Sequence, residues 1–450
     1  MPNFLHGVNV TEINEGINRV KTSSSSVIGV IGTAPEATED DFPLNTPVLI
    51  NGSYSAAAKL GTLGTLPGAL DGILAQTGAV VVVVRVAQGE TNNVEANNGE
   101  NNGNNGSSGS NESLSGGSEG SNESLDSGSG SSNESLNDSG NSESGNNGEE
   151  SSGGTSAAES TVSNIIGSVT ANGDYRGMYA FLGAKSMLGV TPKILCAPGF
   201  SAQEVITELN IVAGRLRGIV VADCPAGATN TELVNFVTNC ASDRIYACYP
   251  PVVNTKNASV PVSPYVAGVI AKTDNDEGFW VSPSNKVING IIGTSIPVDY
   301  YYGDASCRAN YLNEQNITTI INQNGYRLWG NRTTAGTGSY QFLCVRRTAD
   351  VIAESILRSH LWAVDRNIVK NYLSDVVEGV NAFMAALKSQ GAILAGKCVA
   401  NKELNTSHNI SQGRVYFDFE FTPAYPAEQV NFRAYLNNED IETVLMENLA

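Results

Sequence analysis

The side chains best suited to catalysis or metal binding are few and scattered along this chain. Its three histidines are His6 near the N-terminus, His408 in a predicted loop, and His360 within the helical segment SHLWAVD. None has a partner at the HExxH or HxxxH spacing that places two metal ligands on one face of a helix. We therefore interpret His360 as a structural side chain and expect no metal site.

The seven cysteines carry no recognisable chemistry either. No two of them form a CxxC arrangement, and an odd number cannot pair completely into disulfides. We expect reduced, mostly buried thiols in a protein that folds in the cytoplasm. These cysteines are Cys196, Cys224, Cys240, Cys248, Cys307, Cys344 and Cys398.

Motifs for nucleotide binding and covalent catalysis are missing. The sequence has no GxxxxGK[ST] phosphate loop and no GxSxG nucleophile elbow. The turn 29–35 has some likeness to a dinucleotide loop, but it lacks the GxGxxG spacing and Pro35 disfavours a helix start. Asp299, Asp304 and the acids at 274–277 fall in predicted polar loops, where solvated surface is the ordinary role. No convergent set can be assembled, so we expect no enzyme and no cofactor.

Charge narrows the range of partners. The 450 residues include 45 acidic and 26 basic side chains, for a formal net charge of -19. Binding to nucleic acid or to an anionic membrane surface needs clustered Lys and Arg, so we expect neither. The longest apolar run, Ala79–Val84, is far too short to span a bilayer. The N-terminus has no basic region followed by an apolar stretch, so we expect no signal peptide and no membrane insertion.

Most of the acidity belongs to one segment, Glu90–Ser160. Of its 71 residues, 49 are Ser, Asn or Gly and 13 are acidic, with no Lys, Arg, aromatic residue, Cys or Pro. The pentapeptide SNESL recurs with a period of 11, at Ser110–Leu114, Ser121–Leu125 and Ser132–Leu136. One Leu per repeat cannot offset the entropy of ordering, which favours a solvated loop grown by duplication. A surface decoration or ligand-binding repeat is the alternative, although no calcium-loop spacing is present.

The segments around this insert alternate between strands and helices. Apolar runs rich in β-branched residues predict buried strands at Val27–Thr33, Pro47–Ile50, Val80–Val86, Lys193–Ala197, Gly218–Asp223 and Arg244–Tyr249. Helical patterns separate the last three, and one of them, Ser201–Leu216, has Ser201 as its expected N-cap. This rhythm predicts βαβ units in an α/β domain with a mixed, mostly parallel sheet.

The C-terminal third is of α+β character. A hairpin-like pair of apolar runs lies at Ile317–Ile321 and Tyr326–Trp329, and the longest helical patterns follow at Arg346–Asp365 and Ile368–Gln390. Two later segments alternate apolar and polar residues, as strands with one wet face do. The apolar face of the first has Val415, Phe417, Phe419 and Phe421; that of the second has Val430, Phe432, Ala434 and Leu436.

The two ends of the chain are candidates for contacts between subunits. Residues 7–14 form a short alternating segment with apolar Val8, Val10 and Ile13, and residues 437–450 follow the last predicted strand with little core of their own. Such ends can exchange β-strands with a neighbour, and frayed termini without a partner are the alternative. Strand exchange would pair residues 7–14 with a neighbour's strand around 415–421.

Nine blocks, in this order and spacing, resemble one family. They are FLHGVNVTEINEG (4–16), FPLNTPVLI (42–50), VVVVRV (81–86), TVSNIIG (161–167), NGIIGTS (289–295), GYRLWGNRT (325–333), RRTADVIAES (346–355), SHLWAVD (359–365) and GRVYFDFEFTPAYPAEQV (413–430). Together they resemble the tail sheath protein of contractile-tailed bacteriophages and of R-type pyocins. The resemblance covers the chain except for about 90–160, where the family has a much shorter loop.

The resemblance implies a structural role in a contractile tail. Sheath subunits form sixfold rings stacked helically around a tube of a different protein, with baseplate and tail terminator proteins as further partners. Contraction drives the tube through the host cell envelope without nucleotide hydrolysis. The location implied is the tail of a virion or phage-tail-like particle, assembled in the host cytoplasm.

The resemblance also implies a division of the chain. It gives an N-terminal arm (1–22), an outer α/β domain (23–285), an inner tube-facing domain (286–436) and a C-terminal arm (437–450), with strand exchange through both arms. The tube-facing surface is expected around 346–390. A non-viral structural or surface-layer protein is the alternative, and a nucleotide-binding enzyme would need the missing phosphate loop.

Overall fold

The structure is a computed structural model that describes residues 20–89, 156–438 and 440 of the chain. The predicted contact residues Val8, Val10 and Ile13 lie outside the described residues, as do the SNESL repeats and most of the predicted C-terminal arm. Contacts assign Met1–Glu90 and Ala157–Ala450 to one compact unit and Thr91–Ser156 to another. All of the helices and strands described belong to the first unit.

Most of the strands join one large sheet. The strands are β1 (Ile28–Thr33), β2 (Pro47–Asn51), β3 (Val80–Val86), β4 (Ile194–Cys196), β5 (Ile219–Asp223), β6 (Ile245–Cys248), β7 (Val252–Asn254), β8 (Ser259–Val260), β9 (Ile291–Thr294), β10 (Ile317–Asn322), β11 (Tyr326–Trp329), β12 (Ile393–Ala400) and β13 (Phe417–Pro423). Eight of them form a sheet in the order β11-β10-β6-β5-β4-β1-β3-β2. Only β2 and β11, at the edges, pair antiparallel. The predicted mixed, mostly parallel sheet is confirmed.

Helices cover both faces of this sheet. They are α1 (Tyr54–Ala57), α2 (Leu66–Leu74), α3 (Ala157–Ile166), α4 (Ala180–Leu188), α5 (Gln203–Leu216), α6 (Asn230–Asn239), α7 (Ser263–Asp276), α8 (Arg308–Glu314), α9 (Leu343–Ser359), α10 (Lys370–Ser389) and α11 (Ser407–Ser411), with 3-10 turns at Ala58–Leu60, Gly177–Tyr179 and Leu361–Ala363. α2 and α7 pack on one face, and α4, α5 and α6 pack on the other. Burial on both faces explains the unbroken run VVVVVRV of β3.

The structure of the α/β domain differs from the prediction at one helix cap and adds a helix that was not predicted. α5 begins at Gln203 after Ala202, which makes no side-chain cap, so Ser201 is not the cap of this helix. α7 was missed, because ten of its 14 residues are buried and its sequence lacks the one-sided periodicity that marks an amphipathic helix. The large sheet also takes in β10 and β11, and so extends past residue 286, where the sequence suggests that the inner domain begins.

The two ends of the described chain that flank the acidic segment lie next to each other. The Gly89 N–H donates to Thr161 Oγ1 at 2.9 Å, and Asn164 Nδ2 donates to the Ala87 carbonyl at 3.0 Å. A Cβ atom on Gly89 would clash with the Ala157 carbonyl, so the two sides of this junction are in direct contact. β3 and α3 are therefore held together independently of what lies between them in sequence.

The C-terminal module, α9, α10, β12 and β13, has its own apolar cluster. Its buried residues include Val351, Ile352, Phe383, Met384 and Ile393, and Phe417 and Phe421 pack against them. β12 pairs antiparallel with β13. The predicted first helix ends earlier than expected, at Ser359 instead of Asp365, and is followed by the short 3-10 turn.

The second predicted C-terminal strand, 429–436, is not a strand in the described structure. Its apolar side chains do not point into a core: Val430, Phe432 and Leu436 are 64%, 92% and 91% exposed. The alternation of the sequence is genuine, but no strand among the described residues pairs with this segment.

Candidate assembly surface

The residues first considered for chemistry take structural positions. His360 Nδ1 lies 2.7 Å from the Ile356 carbonyl at the end of α9, and His408 is exposed on α11. Among the described residues, no group of three His, Cys, Asp or Glu is arranged to hold a metal ion. Within the same ranges, no helix is long and apolar enough to cross a membrane.

All seven cysteines are buried and free of disulfide bonds. Burial raises the pKa of the Cys344 thiol to about 11, and it raises the pKa of Cys196 and Cys248 as well. These thiols are therefore protonated at neutral pH, and a protonated buried thiol is a poor nucleophile and metal ligand. They serve as small apolar side chains.

The edge of the sheet where α/β folds bind ligands is filled by the protein's own side chains. The Thr33 N–H after β1 donates to Thr65 Oγ1 at 3.1 Å, and a Cβ atom on Gly32 would clash with that hydroxyl. Burial raises the pKa of Asp223 at the end of β5. The Ser263 N–H and hydroxyl donate to this carboxyl at 2.8 and 2.6 Å, so Asp223 caps α7.

The small sheet has an outer edge that offers backbone pairing. Asn381 occupies the outer edge of β12, because its amide accepts from the Cys398 N–H at 2.7 Å and donates to the Cys398 carbonyl at 3.0 Å. Cys398 lies opposite Phe419 in the ladder, so the backbone groups of both residues point away from the shared ladder. By alternation, Phe417, Phe419 and Phe421 direct their N–H and C=O groups to the outer edge of β13.

The four C-terminal residues predicted to make strand contacts differ in whether they belong to a strand and in how exposed they are. Phe417, Phe419 and Phe421 lie in β13, whereas Val415 precedes the strand. Phe417 and Phe421 pack against the apolar cluster, and Phe419 is 41% exposed. The structure thus brings three of the four onto one strand, next to the open edge.

The chain after β13 forms no helix or strand over residues 424–438 and is attached to the rest of the subunit near its start. Arg332 Nε and Nη2 donate to the two carboxylate oxygens of Glu428 at 2.8 and 2.6 Å. The Tyr425 ring meets the Phe342 ring edge-on at 6.1 Å. Beyond Glu428 come the exposed Val430, Phe432 and Leu436. Such exposed apolar side chains mark a surface for a partner.

The end of α9 and the residues up to the start of α10 carry a set of exposed apolar side chains, the apolar patch. Leu357, Leu361, Val364 and Val369 are more than half exposed, with Leu361 at 77%. Leu357 lies in α9, and the other three lie between α9 and α10. This patch lies within the range 346–390 that sequence analysis assigned to a partner surface.

Buried ion pairs hold α9 against the large sheet. Arg347 and Asp274 pair with side chains only 5% and 2% exposed. Arg244 donates to both oxygens of Asp350 at 2.6 and 2.8 Å. Sequence reasoning could not find these pairs, because the partners lie 73 and 106 residues apart.

A third pair, Lys193 with Glu354, is also largely buried. Burial lowers the pKa of Lys193, and the neighbouring Glu354 carboxylate opposes that shift. Arg346 adds a bond to Asp350 at 2.9 Å. Breaking one partner of such a pair is costly, because the remaining charge stays desolvated.

Sequence profiles of one family match nearly all of the described chain. The phage tail sheath protein central domain matches residues 157–334, and the phage tail sheath C-terminal domain matches residues 337–437. The tail sheath protein Gp18 domain III N-terminal region matches residues 25–86.

Curated relatives agree over almost the full length. A prophage major tail sheath protein of Pseudomonas aeruginosa (strain UCBPP-PA14) is 35% identical and covers 98% of this chain and 99% of its own. The tail sheath protein of Escherichia phage P2 is 31% identical and covers 98% of this chain and 97% of its own. Neither relative is a surface-layer protein, the alternative raised by composition.

Solved sheath structures share the fold. The PVC sheath complex of an extracellular contractile injection system, in its contracted state, has a TM-score of 0.62 at 15% identity and covers 98% of this chain and 99% of its own. The contracted helical sheath of the anti-feeding prophage has a TM-score of 0.63 at 17% identity and covers 96% of this chain and 99% of its own.

Proposed function

The chain belongs to the phage tail sheath protein family, and we propose that it polymerises as stacked sixfold rings around a tail tube. Baseplate and tail terminator proteins are the further partners of this sheath. Its contraction drives the tube through the host cell envelope. It is a structural protein of a contractile tail, in a virion or phage-tail-like particle, and the proposal places its assembly in the host cytoplasm.

The observation that carries the proposal is that one subunit has both a free strand edge and an exposed apolar segment, and that these two features do not pair with each other. β13 has one edge with no strand partner among the described residues, and the chain that follows it exposes Phe432 almost completely. An extended segment with apolar side chains is what an open edge accepts when a strand is added. Contacts of this kind between copies link subunits through main-chain hydrogen bonds, which tolerate changes in the side-chain contacts around them.

The arms of the proposal are residues 1–22 and 437–450. Val8, Val10 and Ile13 of one subunit would lie along the edge of Phe417, Phe419 and Phe421 in a neighbour. Several backbone hydrogen bonds at a net ~0.5–1.5 kcal/mol each would make one such link worth a few kcal/mol. This link repeats in every subunit of the polymer.

The apolar patch before α10 is the proposed contact with the tube. Leu361 and Val364 supply exposed apolar area there, and burial of apolar surface is the main favourable term in protein association. The inner domain is accordingly assigned to the C-terminal module, and the outer domain to the large sheet.

Contraction in this proposal uses no catalytic step. The free energy resides in the difference between two arrangements of the subunits, as in other metastable assemblies. The filled edge of the sheet and the protonated thiols support a protein that is not an enzyme. Purified particles treated with chelator and triggered with acid or denaturant are expected to contract; a strict requirement for ATP or a metal would contradict this mechanism.

Removal of residues 1–14 tests strand exchange directly. The truncated chain is expected to unfold at the same temperature as the full chain, because the described apolar clusters are built from other residues, but to remain monomeric in sedimentation. Val10→Pro, which removes a backbone donor, is the milder variant, and Val10→Thr is the matched control that keeps the donor. Full-length sheaths from the truncated chain would refute the link, and a chain that unfolds would assign residues 1–14 to its own core.

A further inference from the structure

The N-terminal root, defined as residues 20–25, lies along helix α9. The Lys21 N–H donates to Ser359 Oγ at 3.0 Å, and the Ser23 N–H donates to Ser355 Oγ at 2.9 Å. The two serines are one helical turn apart, so the root follows one face of the helix. Val20 packs against the apolar cluster of the C-terminal module. The residues that lead from the N-terminal arm to β1 are therefore attached to α9 before they enter the large sheet.

Two arginines of α9 complete this attachment. Arg358 Nη1 donates to Ser23 Oγ at 3.1 Å, and Arg347 Nη2 donates to the Ser25 carbonyl at 3.1 Å. Ser25 Oγ donates to Asp274 at 2.8 Å, and Asp274 is the buried partner of Arg347. The root, α9 and the helix layer of the large sheet thus meet in one hydrogen-bonded cluster.

The C-terminal root, defined as residues 424–428, attaches to the segment that leads into the same helix. The Glu428 carboxylate accepts from Nε and Nη2 of Arg332, and Tyr425 packs edge-on against Phe342. Phe342 is the N-cap residue of α9. The chain that leads to the C-terminal arm is therefore also attached next to α9, at the opposite end from Ser359.

The segment 331–342 connects that attachment rigidly to the helix. Arg332 and Phe342 form a β-bridge. The Leu343 N–H donates to the Asn331 carbonyl at 3.0 Å, and the Thr333 N–H donates to the Gln341 carbonyl at 2.8 Å. Arg332 also stacks over the Phe342 ring at 5.5 Å. A pull on Glu428 is passed to the start of α9 through these contacts.

We propose that α9 and segment 331–342 form a tie that connects the two arms within each subunit. Tension from one neighbour then crosses the subunit along α9 to the next neighbour. The large sheet is attached to α9 by the buried ion pairs and does not itself transmit this tension. The inference rests on the proposed strand exchange, because a tie between arms matters only when both arms are engaged. Its partner is a second copy of this chain at each end.

If the tie transmits tension, the same load passes through the N-terminal root and then through the C-terminal root. This series arrangement can be tested. The N-terminal root is weakened by the double variant S355A/S359A, and the C-terminal root by E428Q. In the unassembled full chain, S355A/S359A is expected to speed amide exchange at Lys21 and Ser23 about fivefold, as the loss of one hydrogen bond each predicts. In assembled sheaths, each variant is expected to lower the force at which a single sheath, pulled from its two ends, breaks.

The decisive measurement is the combined variant S355A/S359A/E428Q. In a series path the weaker link fails first, so the force that breaks its sheath should equal that of the weaker single-root variant. S186A, at an exposed position of α4, and D41N, which removes an exposed pair with Lys59, are the matched controls and should leave this force unchanged.

The outcomes separate this inference from the proposed function. Losses of breaking force that add in the combined variant would mean independent anchors and would overturn the tie alone, as would variants that behave like S186A and D41N. Unchanged amide exchange at Lys21 and Ser23 would overturn the attachment of the N-terminal root. A wild-type chain that forms no sheath would overturn the proposed function and the tie together.

Discussion

The eight-stranded sheet and the two-stranded sheet satisfy their backbone groups in different ways. In the large sheet, β1 and β3 are central, paired on both sides and covered by helices on both faces. In the small sheet, β12 and β13 each have one strand neighbour among the described residues, and apolar side chains nearby stay exposed. The difference teaches that one region is complete within the subunit, whereas the other leaves backbone groups and apolar side chains available for the strand exchange proposed above.

The largest effect should come from the complete region. Phe181 in α4 is fully buried between the sheet and its helices. Phe181→Ala should lower the free energy of unfolding by about 3–5 kcal/mol, from lost burial and the cavity left behind. Urea unfolding followed by circular dichroism measures the loss. A cost below about 1 kcal/mol would mean that this face of the sheet is not a close-packed core.

The connection between the two regions can be broken next. Asp274→Ala leaves Arg347 buried without its partner, and the expected cost is about 3–5 kcal/mol. Asp41→Ala removes an exposed pair with Lys59 and should leave the unfolding temperature nearly unchanged, so it is the control. Thermal unfolding of both variants compares the costs. Equal stability of the two variants would show that the C-terminal module is joined to the sheet by other contacts.

The same substitution made in the incomplete region should act on assembly alone. Phe432→Ala is expected to leave the unfolding free energy of the unassembled chain within about 0.5 kcal/mol, because the ring contacts little in one subunit. Burial of that ring by a neighbour is worth about 1.5–3 kcal/mol, so the concentration needed for polymerisation should rise roughly 10- to 150-fold. Sedimentation across a dilution series measures it. An unchanged threshold would remove this segment from the interface.

The smallest effect is expected at the acidic segment. Replacement of residues 91–155 by a short Gly/Ser linker should leave the fold intact, because Gly89 and Ala157 already touch. Shorter loop closure should raise stability by at most about 2 kcal/mol. Thermal unfolding and electron micrographs of sheaths, extended and contracted, check the result. Loss of sheath formation would give the segment a part in assembly that its junction does not suggest.

Sequence reasoning succeeded where the signal and its partner are local. Continuous β-branched runs predicted β1 and β3, and alternation predicted β13. It missed α7, because a helix buried all round has no one-sided pattern. It missed β12, whose sequence ILAGKCVA has both a glycine and a lysine in its middle and no regular alternation.

The assembly surface was predictable only in part. Alternation in 429–436 predicted a strand with one face turned inward, and that prediction was wrong, because no strand among the described residues pairs with this segment. The ion pairs Arg347–Asp274 and Lys193–Glu354 join residues 73 and 161 positions apart, and no local pattern marks such pairs. A local sequence pattern does not reveal where an exposed apolar segment finds its partner. It also does not reveal which residues pair when they lie far apart in sequence.

The junction at Gly89 and Ala157 has a consequence for what such a particle can present to its surroundings. Because the closure cost of a loop grows only with the logarithm of its length, duplications of an 11-residue unit between these residues barely affect the fold. A sheath built from this chain would repeat the SNESL motif with a spacing set by the polymer lattice. Any weak affinity of one copy would then act as avidity across the array. The narrow junction would therefore let the number of repeats on such a sheath change without a change in the fold that carries them.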